Sequence, residues 1–400
     1  MDWQTVLARR TGRMKASEIR ELLKLLDQPD IISFAGGIPD PELFPAAEFA
    51  KAMSEAMTGP RASQALQYSV SEGYAPLRAW LADHMGGIGV ACGVENIFIT
   101  SGSQQALDYF GKLLLSPGDT AMVGWPTYLG ALGAFNACEP RYIPLDPWSN
   151  AAPEDLRAEA EAAGGAVKMA YLSADFANPT GETLDAEGRG RLLERAEALG
   201  IALIEDGAYQ ALRYDGDPVP PILATDIARN GGIENSRTIY CGSFSKTLAP
   251  GLRVGWVCAA TPVIERLVLI KQAADLHSPT LNQIATERVA REIFDDHVAG
   301  LRRVYGARRD RMLAALSREM PEGVTWTRPE GGMFVWVTLP AGNDSAQLLE
   351  RAVREARVAF VPGAAFFPDG SGRNTLRLSF SCADEARIDE GIARLGRLLG

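Results

Sequence analysis

Short runs of apolar residues alternate with longer amphipathic stretches from about residue 95 onward. Glycine, proline, serine and asparagine flank these runs, and such residues favour turns. Short apolar runs between turns are typical of buried strands in a parallel sheet, because helices cover both faces of such a sheet. The pattern therefore predicts strands at 97–100, 121–123, 169–172, 201–204 and 238–240.

Helical patterns lie between these strands, for example at 104–115 and 186–199. A strand, a helix and a second strand in succession form a βαβ unit, and repeated units build a sheet with helices on its faces. This part of the chain is therefore predicted to be an α/β domain.

The pattern changes after about residue 280. A long stretch rich in arginine and glutamate predicts a helix to residue 318. Beyond it, predicted strands alternate with predicted helices: strands at 334–337, 358–361 and 376–380, and helices at 345–356 and 384–399. This order is typical of a smaller α+β domain.

The N-terminal segment is polar, and its apolar residues recur with a helical period, which predicts a helix within 1–30. We therefore divide the chain into an N-terminal arm at 1–45, a large domain at 46–285 and a small C-terminal domain at 286–400. The arm is expected to contribute to the small domain and to the substrate pocket.

Composition narrows the function classes. The chain has 400 residues, 46% of them hydrophobic and 22% charged, which is typical of a globular protein. Its formal net charge of −10 argues against nucleic acid as a partner. Apolar runs long enough to span a bilayer and a secretion signal are both missing from the sequence. Five scattered cysteines favour a reducing cytoplasm, and three widely spaced histidines predict no metal site.

A first polar cluster follows the predicted strand 97–100. It consists of Ser101, Gly102, Ser103 and Gln104 and leads into a helix. A turn of small residues at a helix N-terminus presents free N–H groups, which suit a phosphate. An ordinary helix cap at Ser101 or Ser103 accounts for the same residues.

A second cluster contains Asn178, in the segment Asn-Pro-Thr-Gly, and Asp206 and Tyr209, which follow the strand 201–204. An acid directly after a buried strand needs a cationic partner. A protonated pyridine nitrogen is one such partner, and its charge makes the ring an electron sink. A surface aspartate at a strand end is the alternative interpretation.

The third cluster places Lys246 among Ser243, Ser245 and apolar residues, with Arg253 seven positions further on. Burial lowers the pKa of a lysine and makes its amine nucleophilic enough to form a Schiff base. The hydroxyl groups and Arg253 suit a phosphate dianion. A lone lysine is more often a solvated surface charge, so this interpretation depends on the surrounding pattern.

These clusters, in this order and at these intervals, resemble the pyridoxal-phosphate (PLP) enzymes of fold type I, specifically the class I and II aminotransferases. The similarity extends from Ser17 to the C-terminus and includes Arg377, on the predicted strand 376–380. The resemblance implies a large PLP-binding domain with a mostly parallel seven-stranded sheet and a smaller α+β C-terminal domain.

The resemblance also implies roles for single residues. Lys246 forms the Schiff base, Asp206 pairs with the pyridine nitrogen, and Asn178 and Tyr209 hydrogen-bond the phenolic oxygen. Tyr128 stacks on the ring, and Arg377 binds the substrate carboxylate, whereas strand alternation alone places Arg377 on the exposed side of its strand. Tyr68 reaches the phosphate of the partner subunit, which implies a homodimer with shared active sites. The phosphate is held by Gly102, Ser103, Gln104, Ser243, Ser245 and Arg253.

Within this class, the N-terminal segment is most similar to the 2-aminoadipate, kynurenine and LysN-like aminotransferases. That resemblance places Gly37 and Arg20 beside Asn178 and Arg377 in the substrate pocket, with Arg20 reading a distal carboxylate. A surface arginine that forms helix ion pairs is the alternative for Arg20. Ala177 stands where relatives often carry glutamine, which bears on substrate preference.

The expected reaction is ping-pong transfer of an amino group from an α-amino acid to an α-keto acid such as 2-oxoglutarate. Aminoadipate, glutamate, aromatic and large aliphatic amino acids are the expected donors. A PLP-dependent β-lyase or decarboxylase would use the same cofactor site. A ligand-sensing module like that of MocR-type regulators is a second alternative, although the acidic chain and its early start at the aminotransferase arm argue against a DNA-binding domain.

Overall fold

The structure is a computed structural model that describes residue 1 and residues 3–14, 30–60 and 62–400. The predicted N-terminal helix and Arg20 fall at 15–29, which lie outside the described residues.

The helices and strands alternate along most of the chain. The strands, in chain order, are β1 Ile32–Ser33, β2 Ile97–Thr100, β3 Thr120–Val123, β4 Arg141–Pro144, β5 Val167–Leu172, β6 Ala202–Asp206, β7 Thr238–Ser243, β8 Gly255–Cys258, β9 Thr325–Trp326, β10 Phe334–Thr338, β11 Val358–Ala359, β12 Val361–Pro362 and β13 Thr375–Ser379. The α-helices are α1 Ala46–Thr58, α2 Ala62–Leu66, α3 Ala75–Gly87, α4 Ser103–Leu114, α5 Leu129–Asn136, α6 Pro153–Ala162, α7 Ala186–Leu199, α8 Ile222–Asn230, α9 Thr261–Ala274, α10 Thr280–Glu319, α11 Ser345–Arg351 and α12 Glu385–Leu399.

The largest sheet has seven strands in the order β2-β8-β7-β6-β5-β3-β4. All of its strands run parallel except β8, which is antiparallel to both of its neighbours. The predicted mostly parallel, seven-stranded α/β sheet is therefore confirmed.

Helices cover both faces of this sheet. Successive strand residues point to opposite faces, so one apolar strand contributes to a core on each side. Leu203 and Ile204, adjacent in β6, belong to separate cores. Ile204 packs in the core that includes Phe110 of α4, whereas Leu203 packs in the core that includes Leu193 of α7. Both faces of the sheet are buried, which explains why the strands are apolar throughout and do not alternate between apolar and polar residues.

The C-terminal part contains a four-stranded antiparallel sheet in the order β12-β13-β10-β9. Helices α10 and α12 pack against each other beside it, and their apolar residues share one core with this sheet. Helix α10 has 40 residues and also packs against α1. It continues without a break across residue 285, so the division of the chain there stays a prediction.

The predicted strand 358–361 is two strands that belong to different sheets. Val358–Ala359 pairs in parallel with Ile32–Ser33, and Val361–Pro362 pairs with β13. The N-terminal segment thus joins the C-terminal part of the molecule.

Membrane-spanning candidates are missing from the described helices, since each is too short or too polar to cross a bilayer.

Candidate active site

Neighbouring strands of the large sheet bring the three polar clusters to one edge. Strands β2, β7, β6 and β5 run in the same direction, so their carboxyl ends meet there. Strand β8 runs the opposite way between β2 and β7, so its first residues lie at this same edge. The residues before β8, including Arg253, therefore join the residues that follow the other strands.

The first cluster forms a turn that closes on Arg253. The guanidinium of Arg253 donates to the carbonyl oxygen of Ser101 at 3.3 Å. Gly102 has a φ of +80°, and a Cβ at this position would lie 2.3 Å from Nη2 of Arg253. Ser103 begins helix α4, and the first backbone N–H groups of a helix have no acceptor within the helix. A guanidinium packed against a glycine turn at a helix N-terminus suits a phosphate group.

Two serines complete this side of the site. Ser243 is the last residue of β7, and its hydroxyl donates to Oγ of Ser245 at 2.8 Å while it accepts from the N–H of Ser245 at 3.0 Å. The pair lies between the turn at Gly102 and Lys246, because Ser243 is the sheet partner of Gly255 and Gly255 packs against Gly102.

Lys246 donates from Nζ to the carbonyl oxygen of Gly37 at 2.8 Å. Burial lowers its pKa to about 8, and the positive charges of Arg377 and Arg253 add to this effect. A larger share of the amine is therefore neutral near pH 7 than in an ordinary lysine. A neutral, desolvated amine can attack an aldehyde and can exchange protons with a substrate.

Asp206 is the last residue of β6 and is 4% exposed. Its Oδ2 accepts from the hydroxyl of Tyr171 at 2.8 Å, and its Oδ1 accepts from the N–H of Ala208 at 3.2 Å. Burial raises the pKa of Asp206, whereas these two donors and the charge of Lys246 oppose the rise. Asp206 is thus a buried carboxyl group whose ionised form a protonated ring nitrogen would stabilise.

Arg377, in β13, is fully buried rather than on the exposed side of its strand. Its two terminal nitrogens donate to Oδ1 of Asn178 and to the carbonyl oxygen of Ala35, each at 2.8 Å. Its guanidinium lies 4.2 Å from the ring centre of Phe334 and 5.1 Å from that of Phe366. Burial lowers its pKa to about 10, so it stays charged at neutral pH. Its Nε has no hydrogen-bond partner among the described residues.

Aromatic side chains line the space between Lys246 and Arg377. Tyr209 packs edge-on against Phe334 and lies 5.7 Å from Nζ of Lys246, measured to the ring centre. Burial raises the pKa of Tyr209, and a hydrogen bond with Asn178 opposes the rise. Burial, followed by the charge of Asp206, raises the pKa of Tyr128. Gly37 contacts this group too, since a Cβ there would lie 3.0 Å from Phe334.

Two predicted site residues have exposed side chains. Tyr68 is 78% exposed, and its ring packs edge-on against His277. Gln104 is exposed, and its amide donates to the carbonyl oxygen of Gly130 at 2.7 Å. Arg20 lies outside the described residues, so its contact with a distal carboxylate stays a prediction.

Several supporting residues were missed by the sequence analysis. Lys271 is fully buried, and its ammonium donates to Asp275 at 2.9 Å and to Gln105 at 2.8 Å. Gln105 in turn accepts from the N–H of Ser101, and Asp275 accepts from the hydroxyl of Ser101. These contacts fix the turn before Gly102. Lys271 lies far from this turn in the sequence, so no local pattern indicated that it supports the turn.

The site offers a nucleophilic amine for the aldehyde of pyridoxal phosphate and a buried carboxyl group for its ring nitrogen. The turn at Gly102 with Arg253 suits its phosphate. The guanidinium of Arg253, held against the turn at Gly102, and the Nε of Arg377, which has no partner among the described residues, both suit anionic groups. Together with the sheet order, these features define a PLP-dependent enzyme of fold type I.

The chain belongs to the family described as aminotransferase class I and II, which it matches over residues 29–395. It is a PLP-dependent aminotransferase, which moves amino groups between amino acids and keto acids.

Similar proteins support this assignment along the whole chain. The aromatic-amino-acid aminotransferase 1 of Thermococcus litoralis is 44% identical, over 100% of this chain and 95% of that protein. The solved structure of LysN, an α-aminoadipate aminotransferase of Thermus thermophilus complexed with N-(5'-phosphopyridoxyl)-L-leucine, is 42% identical, with a TM-score of 0.87 over 100% and 98% of the chains. The kynurenine aminotransferase of Pyrococcus horikoshii, in complex with PMP, is also 42% identical, with a TM-score of 0.90 over 100% and 98%.

Proposed function

We propose that this enzyme takes amino groups from 2-aminoadipate, glutamate, aromatic or large aliphatic amino acids. 2-Oxoglutarate is the proposed acceptor, in a ping-pong reaction. The observation that carries the proposal is the convergence of Lys246, Asp206 and Arg377 on one space. The names of similar proteins support the donor range, since they refer to aromatic amino acids, α-aminoadipate and kynurenine.

Six residues are proposed to hold the phosphate of the cofactor: Gly102, Ser103, Gln104, Ser243, Ser245 and Arg253. Asp206 pairs with the ring nitrogen, Asn178 and Tyr209 hydrogen-bond the phenolic oxygen, and Tyr128 stacks on the ring. The bound cofactor supplies an electron sink for the electron pair that remains on the substrate carbon after deprotonation.

The chain's own residues then position the substrate and move the proton. Arg377 binds the α-carboxylate, because its planar guanidinium can donate two parallel hydrogen bonds. Gly37 lies beside it and lines the pocket. Lys246 would hold the cofactor and would accept the proton of the substrate α-carbon on its Nζ, from which its flexible side chain would return the proton.

A homodimer in the cytoplasm is proposed as the working form. Tyr68 of the partner subunit would then reach the phosphate. Exposed apolar residues around this tyrosine support an interface, since Leu66 is 69% exposed and Val70 is 59% exposed. The cysteines of the chain are free thiols, as a reducing compartment requires.

An absorbance spectrum of the purified enzyme tests the proposed substrates. Each amino acid of a panel is added to the enzyme, and a good donor is expected to bleach the visible band of the bound cofactor. 2-Oxoglutarate is then expected to restore the band. A cofactor band that aminoadipate, glutamate, aromatic and large aliphatic amino acids all leave unchanged would refute the proposed donor range.

Replacing Gly102 by alanine is expected to weaken PLP binding by roughly 10- to 100-fold, because the new Cβ displaces Arg253 and strains a turn at positive φ. Titration of the apoenzyme with PLP measures the change. Gly133→Ala is the matched control, since a Cβ there meets no atom within 4 Å among the described residues. Equal PLP affinities of the two variants would contradict the phosphate seat at Gly102.

The rate at which the apoenzyme binds PLP covalently is expected to rise about tenfold per pH unit and to level off near pH 8. The reason is that only the neutral amine of Lys246 attacks, and its pKa is lowered to about 8. Stopped-flow absorbance measures the rate between pH ~6 and ~10. A rate that keeps rising to pH ~10 would show that Lys246 titrates like an ordinary lysine.

A further inference from the structure

Strand β5 contributes a buried tyrosine to the site. Tyr171 is fully buried, and its ring packs edge-on against Phe135 with the ring centres 5.6 Å apart. Its hydroxyl points to the neighbouring strand β6 and donates to Oδ2 of Asp206 at 2.8 Å. The remaining residues of this apolar strand end are Met169, Ala170 and Leu172, so Tyr171 supplies its polar atom.

The carboxylate of Asp206 is held from two directions. Tyr171 donates to Oδ2 from the adjacent strand, whereas the N–H of Ala208 donates to Oδ1 from the turn that follows β6. The first contact is shorter, at 2.8 Å against 3.2 Å. Two donors on different oxygens fix the plane of a carboxylate, and each oxygen retains a lone pair for another donor.

The charge of Asp206 depends on these donors because the side chain is buried. Desolvation raises its pKa, and the hydroxyl of Tyr171 is the largest contribution that lowers it again. The other titratable groups that face this carboxylate are Tyr128, Tyr209, Tyr240, Cys241 and Lys246. Among these groups Lys246 is the cation, and it also lowers the pKa of Asp206.

We propose that Tyr171 is a positioning residue for amino-group transfer, which holds Asp206 as an oriented carboxylate toward the ring nitrogen of the cofactor. This inference rests on the proposed role of Asp206. A buried tyrosine whose hydroxyl merely satisfies its own hydrogen bond would look similar in the core, so the test has to read the state of Asp206.

Tyr171→Phe removes the hydroxyl and keeps the volume of the side chain, so the core stays packed. The variant is expected to bind PLP roughly tenfold more weakly, because a hydrogen bond to a buried charge is lost. The acid limb of its kcat/KM profile is expected to move to higher pH by about one pH unit. The direction follows because Asp206 without Tyr171 becomes protonated at a higher pH.

Tyr142→Phe is the matched control. Tyr142 lies in β4, and its hydroxyl donates to Oδ1 of Asn136 at 2.9 Å, away from Asp206. It loses the same atom from the same side chain, and its PLP affinity and pH profile are expected to equal those of the wild type. If Tyr171→Phe behaves like Tyr142→Phe in both measurements, the inference is wrong.

Asp206→Asn separates the inference from the proposed role on which it depends. If Asp206→Asn weakens PLP binding and Tyr171→Phe does not, the role of Asp206 stands and the inference alone fails. If Asp206→Asn also binds PLP normally, both fail. Tyr171→Phe is expected to add nothing in the Asp206→Asn background, because the hydroxyl acts through the carboxylate. Additive losses in the double variant would overturn the inference.

Discussion

Replacement of Lys246 by alanine is expected to lower the rate of amino-group transfer by about 10⁴-fold or more. The variant would lose both the proposed covalent attachment of the cofactor and the proposed base for the substrate proton, and acid-base catalysis alone contributes up to about 10⁴-fold. The residues proposed to hold the phosphate, such as Gly102 and Arg253, are untouched, so PLP is still expected to bind, without the visible band of the lysine-bound form.

Lys168→Ala provides the control for this variant. Lys168 is an exposed residue of β5, in the same sheet, and its replacement is expected to leave the turnover rate and spectrum unchanged. Steady-state turnover and an absorbance spectrum of both variants suffice for the comparison. Comparable rates for Lys246→Ala and Lys168→Ala would remove Lys246 from the reaction.

Replacement of Arg377 by lysine is expected to raise the KM for the amino acid roughly 10- to 100-fold, with a smaller loss in kcat. A lysine keeps the charge but lacks the planar fork, so it cannot reproduce the bond to Asn178, the bond to Ala35 and a paired contact with a carboxylate. A charge-assisted hydrogen bond contributes about 1.5–3 kcal/mol, which corresponds to this change in KM.

The visible band of the bound cofactor is expected to persist in Arg377→Lys, because the phosphate seat and Lys246 are retained. Arg373→Lys makes the same exchange at an exposed position just before β13, where the guanidinium contacts Asp344. Its KM is expected to match the wild type. If the two variants have the same KM, Arg377 does not bind the substrate carboxylate.

Much of the large sheet could be predicted because its strands are buried on both faces. Apolar runs such as 97–100 and 169–172 can be recognised without knowing the neighbouring strands, because a strand buried on both faces has to consist of apolar residues. Strand β4, Arg141–Pro144, was missed because it is an edge strand whose residues are exposed or half-buried. Strand β8, Gly255–Cys258, was missed because it follows the polar cluster around Lys246 without an α-helix between them.

The environment of single site residues could be predicted less well. Strand alternation alone assigns Arg377 to an exposed face, whereas the structure buries it against partners 199 and 342 residues away. Contacts at such separation leave no local pattern. The same limit applies to Tyr171, although a tyrosine in an apolar, buried strand does indicate that its hydroxyl has a hydrogen-bond partner. The motif that contains Gln104 likewise did not indicate that the amide of Gln104 donates a hydrogen bond to the carbonyl oxygen of Gly130.

The parallel pairing of Ile32–Ser33 with Val358–Ala359 has a consequence for biosynthesis. Asp30 and Arg357, which form an ion pair beside it, are 327 residues apart. The ribosome must therefore synthesise most of the protein before Ile32 and Phe34 can be buried by C-terminal residues. Contacts between residues so far apart in the sequence form late and slowly during folding. Arg377 donates a hydrogen bond to the carbonyl oxygen of Ala35, which lies in the same N-terminal segment. The nascent chain thus completes the pocket proposed for the substrate carboxylate only after translation has passed residue 377.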